Sequence, residues 1–204
     1  MWMGMWPDGA IYIPWDVWIA TWIVAAVWAK PAVRRAGLLQ ELPYRIVTLA
    51  GFALMFAESV RMVAGHIEIA NAPGILGERY WLPPLAVGWA MVGLAALGFL
   101  FALWARIQLG TLWSGTITRK DGHVLVQSGP YAIVRHPIYT GLLVACIATV
   151  VATGMLHTML GALLLTLGHW MKARQEERFL AKELGAAEYE SYRRRVPMLI
   201  PFLR

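Results

Sequence analysis

The sequence has few charged residues and lacks the residue pairs that form disulfides or bind metals. Only 15% of its 204 residues are charged, whereas a soluble globular domain contains about a quarter. The single cysteine, Cys146, lies in an apolar run, which excludes a disulfide framework. The five histidines are scattered and no CxxC or HExxH pattern occurs, so the sequence predicts no metal site.

Apolar residues are abundant instead. They make up 59% of the chain and include 11 tryptophans, whose rings favour the boundary between membrane and water. An apolar run of about 18 residues is long enough to cross a bilayer as a helix. The composition therefore predicts an integral membrane protein.

Five membrane-spanning helices are predicted from the apolar runs. Residues 11–28, 44–63 and 84–104 each give one span. The run 138–170 is longer than one span and is interrupted at Thr153-Gly154, so we expect two antiparallel helices joined by a tight turn. No basic segment precedes the first run, which argues against a cleaved signal peptide. The predicted fold class is all-α integral membrane, with five transmembrane helices.

The basic residues predict the orientation of these helices. Nearly all of the 18 Lys and Arg residues fall in the connection after the first span, the segment after the third, and the C-terminal tail. Cytoplasmic loops carry such an excess, so we expect the N-terminus outside, the C-terminus in the cytoplasm, and no nucleic-acid partner. The short loops favour a prokaryotic inner membrane.

A polar motif, GPYAIVRHPIYTG at residues 129–141, stands at the mouth of the fourth span. Pro137 suits the first helical position, which places Arg135 and His136 beside backbone N–H groups that attract anions. The Arg135 guanidinium can bind a carboxylate with two hydrogen bonds, and Tyr131 and Tyr139 add phenol groups. These residues fit a small anionic ligand, but they also fit ordinary interface anchors and helix initiation.

A second polar segment, HWMKARQEERFLAKELG, continues the fifth span into the cytoplasm. Glu176 and Glu177 lie about 100° apart on this helix, so they reach different parts of any shared ligand, and His169 is on the face of Glu176. The alternative is a pair of helical salt bridges, Lys172 with Glu176 and Arg174 with Glu177.

Together these segments resemble the superfamily of isoprenylcysteine carboxyl methyltransferases and phospholipid methyltransferases, which are integral membrane enzymes. The resemblance rests on four stretches: LGTLWSG, DGHVLVQSGPYAIVRHPIYTG, QEERFL and LGAAEYESYRRRVPMLIP. It covers residues 106–204, which we interpret as a cofactor-binding core made of a cytosolic loop, a helical hairpin and a C-terminal helix. Residues 1–105, with the first three spans, carry no recognised motif.

The resemblance implies that S-adenosylmethionine is the cofactor and S-adenosylhomocysteine the product. It implies a cytosolic pocket formed by the loop before the fourth helix and the C-terminal helix, with Glu176 and Glu177 closing it. The other cofactor-binding residues implied are His123, Val124 and Leu125 beside the adenosine, and Tyr131, Arg135, His136, Pro137 and Tyr139 near the methionine end. Soluble methyltransferases instead bind the cofactor on a Gly-rich turn, and no G-x-G-x-G occurs here.

The acceptor is expected to be lipophilic and to arrive from the membrane lipids, and we favour O-methylation of an isoprenylcysteine-type carboxylate. Such a carboxylate, or a thiolate, needs no general base, and Arg174 would orient its negative group. A lipid amine, as in phospholipid N-methylation, would need Glu177 or His169 as the base. More distant alternatives are an NADPH-dependent sterol-type reductase and a non-catalytic membrane protein.

Two further sets of residues are given structural roles. Glu58 and Arg61, three residues apart in the second span, are expected to neutralise each other as a helical pair. The N-terminal tryptophans are expected to form an interface belt and the outer surface of the first span, not a stacking platform: Trp2, Trp6, Trp15, Trp18, Trp22 and Trp28.

Overall fold

Seven helices dominate the computed structural model, which describes residues 7–27, 31–57, 59–63, 66–70, 74–120 and 124–203. In chain order the helices are α1 (Pro7–Ala10), α2 (Tyr12–Ala26), α3 (Leu38–Met55), α4 (Leu85–Leu109), α5 (Pro137–Thr153), α6 (Leu156–Leu184) and α7 (Ala186–Arg195). The strands are β1 (Ala32–Arg35), β2 (Ser59–Val63), β3 (His66–Ala70) and β4 (Thr118–Lys120). The all-α class is confirmed, with two small antiparallel sheets, β1–β4 and β2–β3, added to it.

Glycines allow two pairs of helices to approach closely. Helix α4 packs along α5, and a Cβ added to Gly98 would lie only 2.6 Å from the carbonyl oxygen of Gly141. Helix α3 packs along α6, where a Cβ on Gly51 would lie 2.8 Å from the backbone nitrogen of Leu165. Small residues at such contacts are typical of helices that associate within membranes.

Trp15 lies at the centre of the core. It is fully buried among Phe52, Phe56 and Phe99, and its indole Nε1 donates to Thr149 Oγ1 over 2.9 Å. The expectation that Trp15 forms part of the span surface is therefore wrong. Asp16 is the one charged residue of the first span, so the sequence outlines no continuous polar face from which the buried side could be identified.

The break predicted in the fourth apolar run is confirmed. Helix α5 ends at Thr153, Gly154 adopts a φ of 64°, and α6 begins at Leu156. A left-handed residue is the usual C-terminal stop of a helix, and glycine adopts that conformation without steric cost. Helix α6 then runs for 29 residues until Gly185, as the uninterrupted second polar segment predicted.

The second predicted span is wrong in its bounds. Helix α3 begins before residue 44 and ends at Met55, and Ser59–Val63 forms strand β2, which pairs with β3. The segment SVRMV is rich in β-branched residues and is followed by Gly65, a pattern that favours a hairpin over a helix. Arg61 thus lies in a strand and not in a helix. Glu58 is outside the described residues, so the pairing expected between the two stays a prediction.

Within the described part of the chain, two helical stretches are long and apolar enough to cross a membrane, Pro7–Ala26 and Leu85–Leu112. Helix α5 is also apolar but has only 17 residues. These stretches contain α1, α2 and α4, which pack with α3, α5 and α6 into one bundle. Two of its elements, the start of α5 and the middle of α6, bring the polar motifs of the sequence together.

Candidate active site

A cavity of about 350 Å³ lies where the start of α5 and the middle of α6 meet the loop after α4. One part of its wall is polar and contains Arg135, His136, Tyr139, His169, Lys172 and Glu176. The other part is apolar and largely aromatic, with Trp18, Trp22, Trp113, Ile138, Leu142 and Phe179. The volume and the mixed lining are those of a small-molecule site.

Glu176 is the carboxylate in the polar wall. The hydroxyl of Tyr139 lies 2.9 Å from both of its carboxylate oxygens. His136 Nδ1 is 3.6 Å from Oε2, and Lys172 Nζ is 3.8 Å from Oε1. The Lys172 pair is the helical salt bridge left open by the sequence, but here it forms one side of a larger cluster that faces the cavity.

Glu177 points to a different set of partners. Its Oε1 accepts hydrogen bonds from Arg135 Nε at 2.7 Å and from His136 Nε2 at 3.2 Å. Burial alone would raise the pKa of the Glu177 carboxyl, but the hydrogen bonds and charges of His136 and Arg135 lower the pKa below its usual value. Glu177 therefore stays ionised and holds Arg135 and His136 in place in the polar wall.

His136 connects the two glutamates. Its two ring nitrogens face different acids, Nδ1 towards Glu176 and Nε2 towards Glu177. The ring also stacks on Tyr139, with 5.5 Å between centroids and 7° between planes. These contacts fix both the position and the tilt of the imidazole at the cavity wall.

Arg135 holds the C-terminal tail. Its Nη1 donates to the backbone oxygens of Arg193 and Val196, the former at 3.1 Å. The backbone N–H groups of Arg135 and His136 donate to the oxygens of Pro197 and Met198 at 2.8 and 3.1 Å. The backbone donors expected to attract an anion at these two residues are therefore occupied by the tail. The sequence did not reveal this role.

The aromatic wall corrects the assignment of Trp18 and Trp22 to the outer surface of the span. Trp22 meets Trp113 edge to face at 5.8 Å, and Trp18 lies 5.1 Å from Trp22. The Arg106 guanidinium lies 4.6 Å above the Trp113 ring and donates to the oxygen of Gly110 at 2.6 Å. The motif LGTLWSG indicated that Trp113 belongs to the site. Nothing in the apolar first span distinguished Trp18 or Trp22 from its other aromatic residues.

Two buried polar atoms in the cavity wall lack partners. Among the described residues, Trp18 Nε1 and Thr118 Oγ1 have no hydrogen-bond partner. A buried polar group without a partner costs about 1–3 kcal/mol. A ligand with hydroxyl or amide groups would satisfy both atoms.

The other predicted residues are placed as follows. Tyr131 lies in the cavity wall, and burial, with the nearby Glu176 carboxylate, raises the pKa of its phenol so that the hydroxyl stays protonated. Within the described residues, the wall does not include Val124, Leu125 or Pro137. Val124 is 63% exposed, and Pro137 is buried at the first position of α5, where it orients its neighbours. His123 lies outside the described residues.

Arg174 is not brought to this cavity. Its guanidinium lies 5.0 Å from the Trp170 ring and lines a separate groove. Lys172, which the sequence treated only as a salt-bridge partner, reaches the cavity instead and donates to the Gly115 oxygen at 3.0 Å. It thereby ties α6 to the loop that carries Trp113. The sequence could have indicated this role of Lys172, because Lys172 lies one helical turn before Glu176.

Comparison with known proteins reveals similarity to one family. The model of the isoprenylcysteine carboxyl methyltransferase (ICMT) family matches residues 91–182. A protein-S-isoprenylcysteine O-methyltransferase of Schizosaccharomyces pombe is 33% identical over 115 residues, 55% of this chain and 48% of that protein. Protein-S-isoprenylcysteine O-methyltransferase B of Arabidopsis thaliana is 31% identical over 142 residues, 67% of each chain.

A third relative has a different printed activity. A methanethiol S-methyltransferase of a Pseudomonas species is 30% identical over 170 residues, 80% of this chain and 60% of that protein. The chain thus spans between 48% and 67% of the length of these three relatives. The region matched by the family model contains α5, most of α6 and the polar wall of the cavity.

Proposed function

Because this chain belongs to the isoprenylcysteine carboxyl methyltransferase family, we propose that it transfers a methyl group from S-adenosylmethionine to a lipophilic acceptor, leaving S-adenosylhomocysteine. The observation that carries the proposal is the cavity in which Glu176 and its donors face an aromatic wall. Three of the four stretches that carry the resemblance in the sequence lie within residues 91–182, which the family model matches.

The residues of the cavity fit this cofactor. When bound, S-adenosylmethionine supplies an electrophilic methyl group on a cationic sulfur. Glu176 would hold the amino group, while Lys172 and His136 would face the carboxylate. The unpartnered atoms Trp18 Nε1 and Thr118 Oγ1 would bind ribose or adenine groups. Indole faces in the wall attract cations, which suits the sulfur.

The acceptor proposed first is a carboxylate of isoprenylcysteine type. Attack by a negative nucleophile on a positive donor cancels charge, so a cavity wall that excludes water favours the reaction. The side chains of Ile138, Leu142 and the tryptophans provide that wall. Positioning then supplies most of the rate enhancement, and no general base is needed.

A thiol acceptor is the second candidate. The similarity to the methanethiol S-methyltransferase covers 80% of this chain, whereas the S. pombe and A. thaliana matches cover 55% and 67% of it. A thiolate is negative, as a carboxylate is, so its attack on the cationic methyl donor also cancels charge.

For a lipid amine, the base in this proposal is His169. Its Nδ1 lies 2.6 Å from the Leu165 oxygen, which can only accept, so Nδ1 carries the proton and Nε2 is the basic nitrogen. Glu177 is committed to Arg135 and His136, and we assign it a positioning role. Arg174 has no part in this scheme because it lines another groove.

The proposal also places the chain in a membrane. Helices α2 to α6 would cross as five spans, with the N-terminus outside and the cavity open to the cytoplasm, where the cofactor is dissolved. The distribution of Lys and Arg supports this orientation, and a prokaryotic inner membrane is the proposed location.

Ligand binding to the purified protein tests the cofactor. S-Adenosylhomocysteine should raise the melting temperature in detergent and NADPH should not. In calorimetry Glu176→Gln should weaken S-adenosylhomocysteine binding by about tenfold or more, since a hydrogen bond to a charged group contributes about 1.5–3 kcal/mol. Glu190→Gln, on exposed α7, is the matched control and should leave the affinity unchanged. Stabilisation by NADPH, or equal affinities in the two variants, would contradict the proposal.

The acceptor is tested separately with radiolabelled methyl donor. Farnesylcysteine, methanethiol and phosphatidylethanolamine are offered in parallel, and the labelled product identifies whether oxygen, sulfur or nitrogen is methylated. Labelling of farnesylcysteine supports the first candidate and labelling of methanethiol the second. Transfer only to phosphatidylethanolamine would overturn both and direct attention to His169.

A further inference from the structure

Helix α6 lines a second groove, of about 780 Å³, together with the first turns of α3. The wall from α3 contains Gln40, Pro43 and Tyr44. The wall from α6 contains Trp170, Arg174, Arg178 and Lys182. Phe179 contributes to both walls, but none of these four α6 residues lines the candidate active site, and the proposed methyl transfer leaves them unused.

The groove continues an exposed stripe along α6. Leu163, Leu167, Trp170, Arg174 and Arg178 follow one another at intervals of three or four residues, which places them on one face of a helix. The two leucines and the tryptophan are 63%, 42% and 41% exposed, and both arginines are exposed as well. The stripe therefore changes along the helix from aliphatic to aromatic to cationic.

The charge of the groove favours an anion. Its described wall contains three cationic side chains, Arg174, Arg178 and Lys182, and a single carboxylate, Glu183. Arg174 lies over the face of Trp170 at 5.0 Å, which holds the guanidinium at the junction of the apolar and basic parts. Tryptophan at such a junction is typical of the level of lipid headgroups.

We infer that this groove binds one anionic phospholipid, with the phosphate between Arg174 and Arg178 and an acyl chain along Leu167 and Leu163. A free phosphate would use the cations but leave the exposed leucines without a partner. A zwitterionic lipid would cover the leucines but would add the cation of its headgroup to a groove that already contains three cationic side chains. Clusters of Lys and Arg just outside a membrane helix attract anionic lipids. The inference is independent of the proposed methyl transfer.

Binding of a short-chain lipid tests the inference directly. Delipidated protein in a neutral detergent is titrated by calorimetry with dihexanoyl phosphatidylglycerol, dihexanoyl phosphatidylcholine or inorganic phosphate. We expect saturable binding of the phosphatidylglycerol alone. The double variant Arg174→Gln/Arg178→Gln should weaken that binding by about tenfold or more, because each cation near an anionic lipid contributes about 1 kcal/mol.

The matched control removes the same charge from another exposed site, as Arg193→Gln/Arg194→Gln on α7, and should retain the affinity within about twofold. Equal weakening in both double variants would show an effect of net charge and overturn the inference. So would equal binding of the two lipids, or binding of inorganic phosphate as tight as that of phosphatidylglycerol. If the first double variant does not fold, Arg178→Gln alone replaces it, because this exposed side chain can be changed without opening the core.

Discussion

Truncation of Glu177 is expected to loosen the C-terminal tail and to destabilise the whole protein. In the folded protein the Glu177 carboxylate neutralises Arg135, which in turn holds the backbone oxygens of Arg193 and Val196. Glu177→Ala leaves that guanidinium buried without a counter-charge. Arg135, the side chain that holds the tail at the start of α5, then loses the carboxylate that positions it.

The size of the effect follows from the burial of the pair. The side chains of Arg135 and Glu177 are only 7% and 10% exposed, and removing one partner of a buried pair costs about 3–5 kcal/mol. For a chain of this length 1 kcal/mol corresponds to about 2–4 °C in melting temperature, so the expected loss is about 6–20 °C. Glu190→Ala is the control because it breaks the Arg193–Glu190 pair, whose side chains are 51% and 49% exposed. That pair contributes at most about 1 kcal/mol.

Two measurements check this reasoning. Thermal unfolding in detergent gives the stabilities, and limited trypsin digestion reports release of the tail, since cleavage at residues 193–195 should accelerate only in Glu177→Ala. The double variant Arg135→Met/Glu177→Leu should recover part of the stability, because it leaves no buried charge unpaired. A Glu177→Ala loss no larger than that of Glu190→Ala, with unchanged digestion, would refute the proposed role of Glu177.

Two further predictions concern the same pair and the helix contacts. Because the folded-state pKa of Glu177 is lowered, its stabilising effect is complete above the ordinary carboxyl pKa of about 4.3 and is lost as the pH falls through the lowered value. The melting temperatures of Glu177→Gln and the unmodified protein should therefore differ at pH 7 and converge in acid. A difference that stays constant below about pH 4 would contradict the lowered pKa. Gly98→Ala places a Cβ 2.6 Å from the Gly141 oxygen and should destabilise the protein by about 1–3 kcal/mol. The control Gly93→Ala, in the same helix, meets nothing within 4 Å and should be neutral or slightly stabilising. Equal melting temperatures of the two variants would disprove a tight α4–α5 contact.

Local signals in the sequence were sufficient for the helical hairpin. Gly154 marks the turn between α5 and α6, and Pro137 marks the start of α5, because each residue has a strong backbone preference at that position. The end of α3 was missed, since hydropathy does not separate an apolar helix from an apolar hairpin. Only the β-branched segment and the glycine that follows it distinguished the two.

Most of the polar part of the cavity wall was predictable for a related reason. Polar residues stand out in an apolar chain, so the sequence alone predicts Arg135, His136, Tyr139 and Glu176. Trp18 and Trp22 resemble every other aromatic residue in an apolar helix, and only the packing of α2 against the loop after α4 shows that they face the cavity. The role of the tail depends on contacts about 60 residues apart in sequence, such as Arg135 with Val196, and no local pattern encodes such contacts.

The adjacent acids Glu176 and Glu177 illustrate how one motif serves both binding and stability. Helical geometry turns the two side chains about 100° apart, so Glu176 faces the cavity while Glu177 faces Arg135 and the tail. His136 contacts both. A ligand that draws Glu176 away from His136 therefore acts on the ring that also donates to Glu177, and through Arg135 on the tail. A single imidazole at the start of α5 thus contacts both the carboxylate that lines the cavity and the carboxylate that pairs with Arg135.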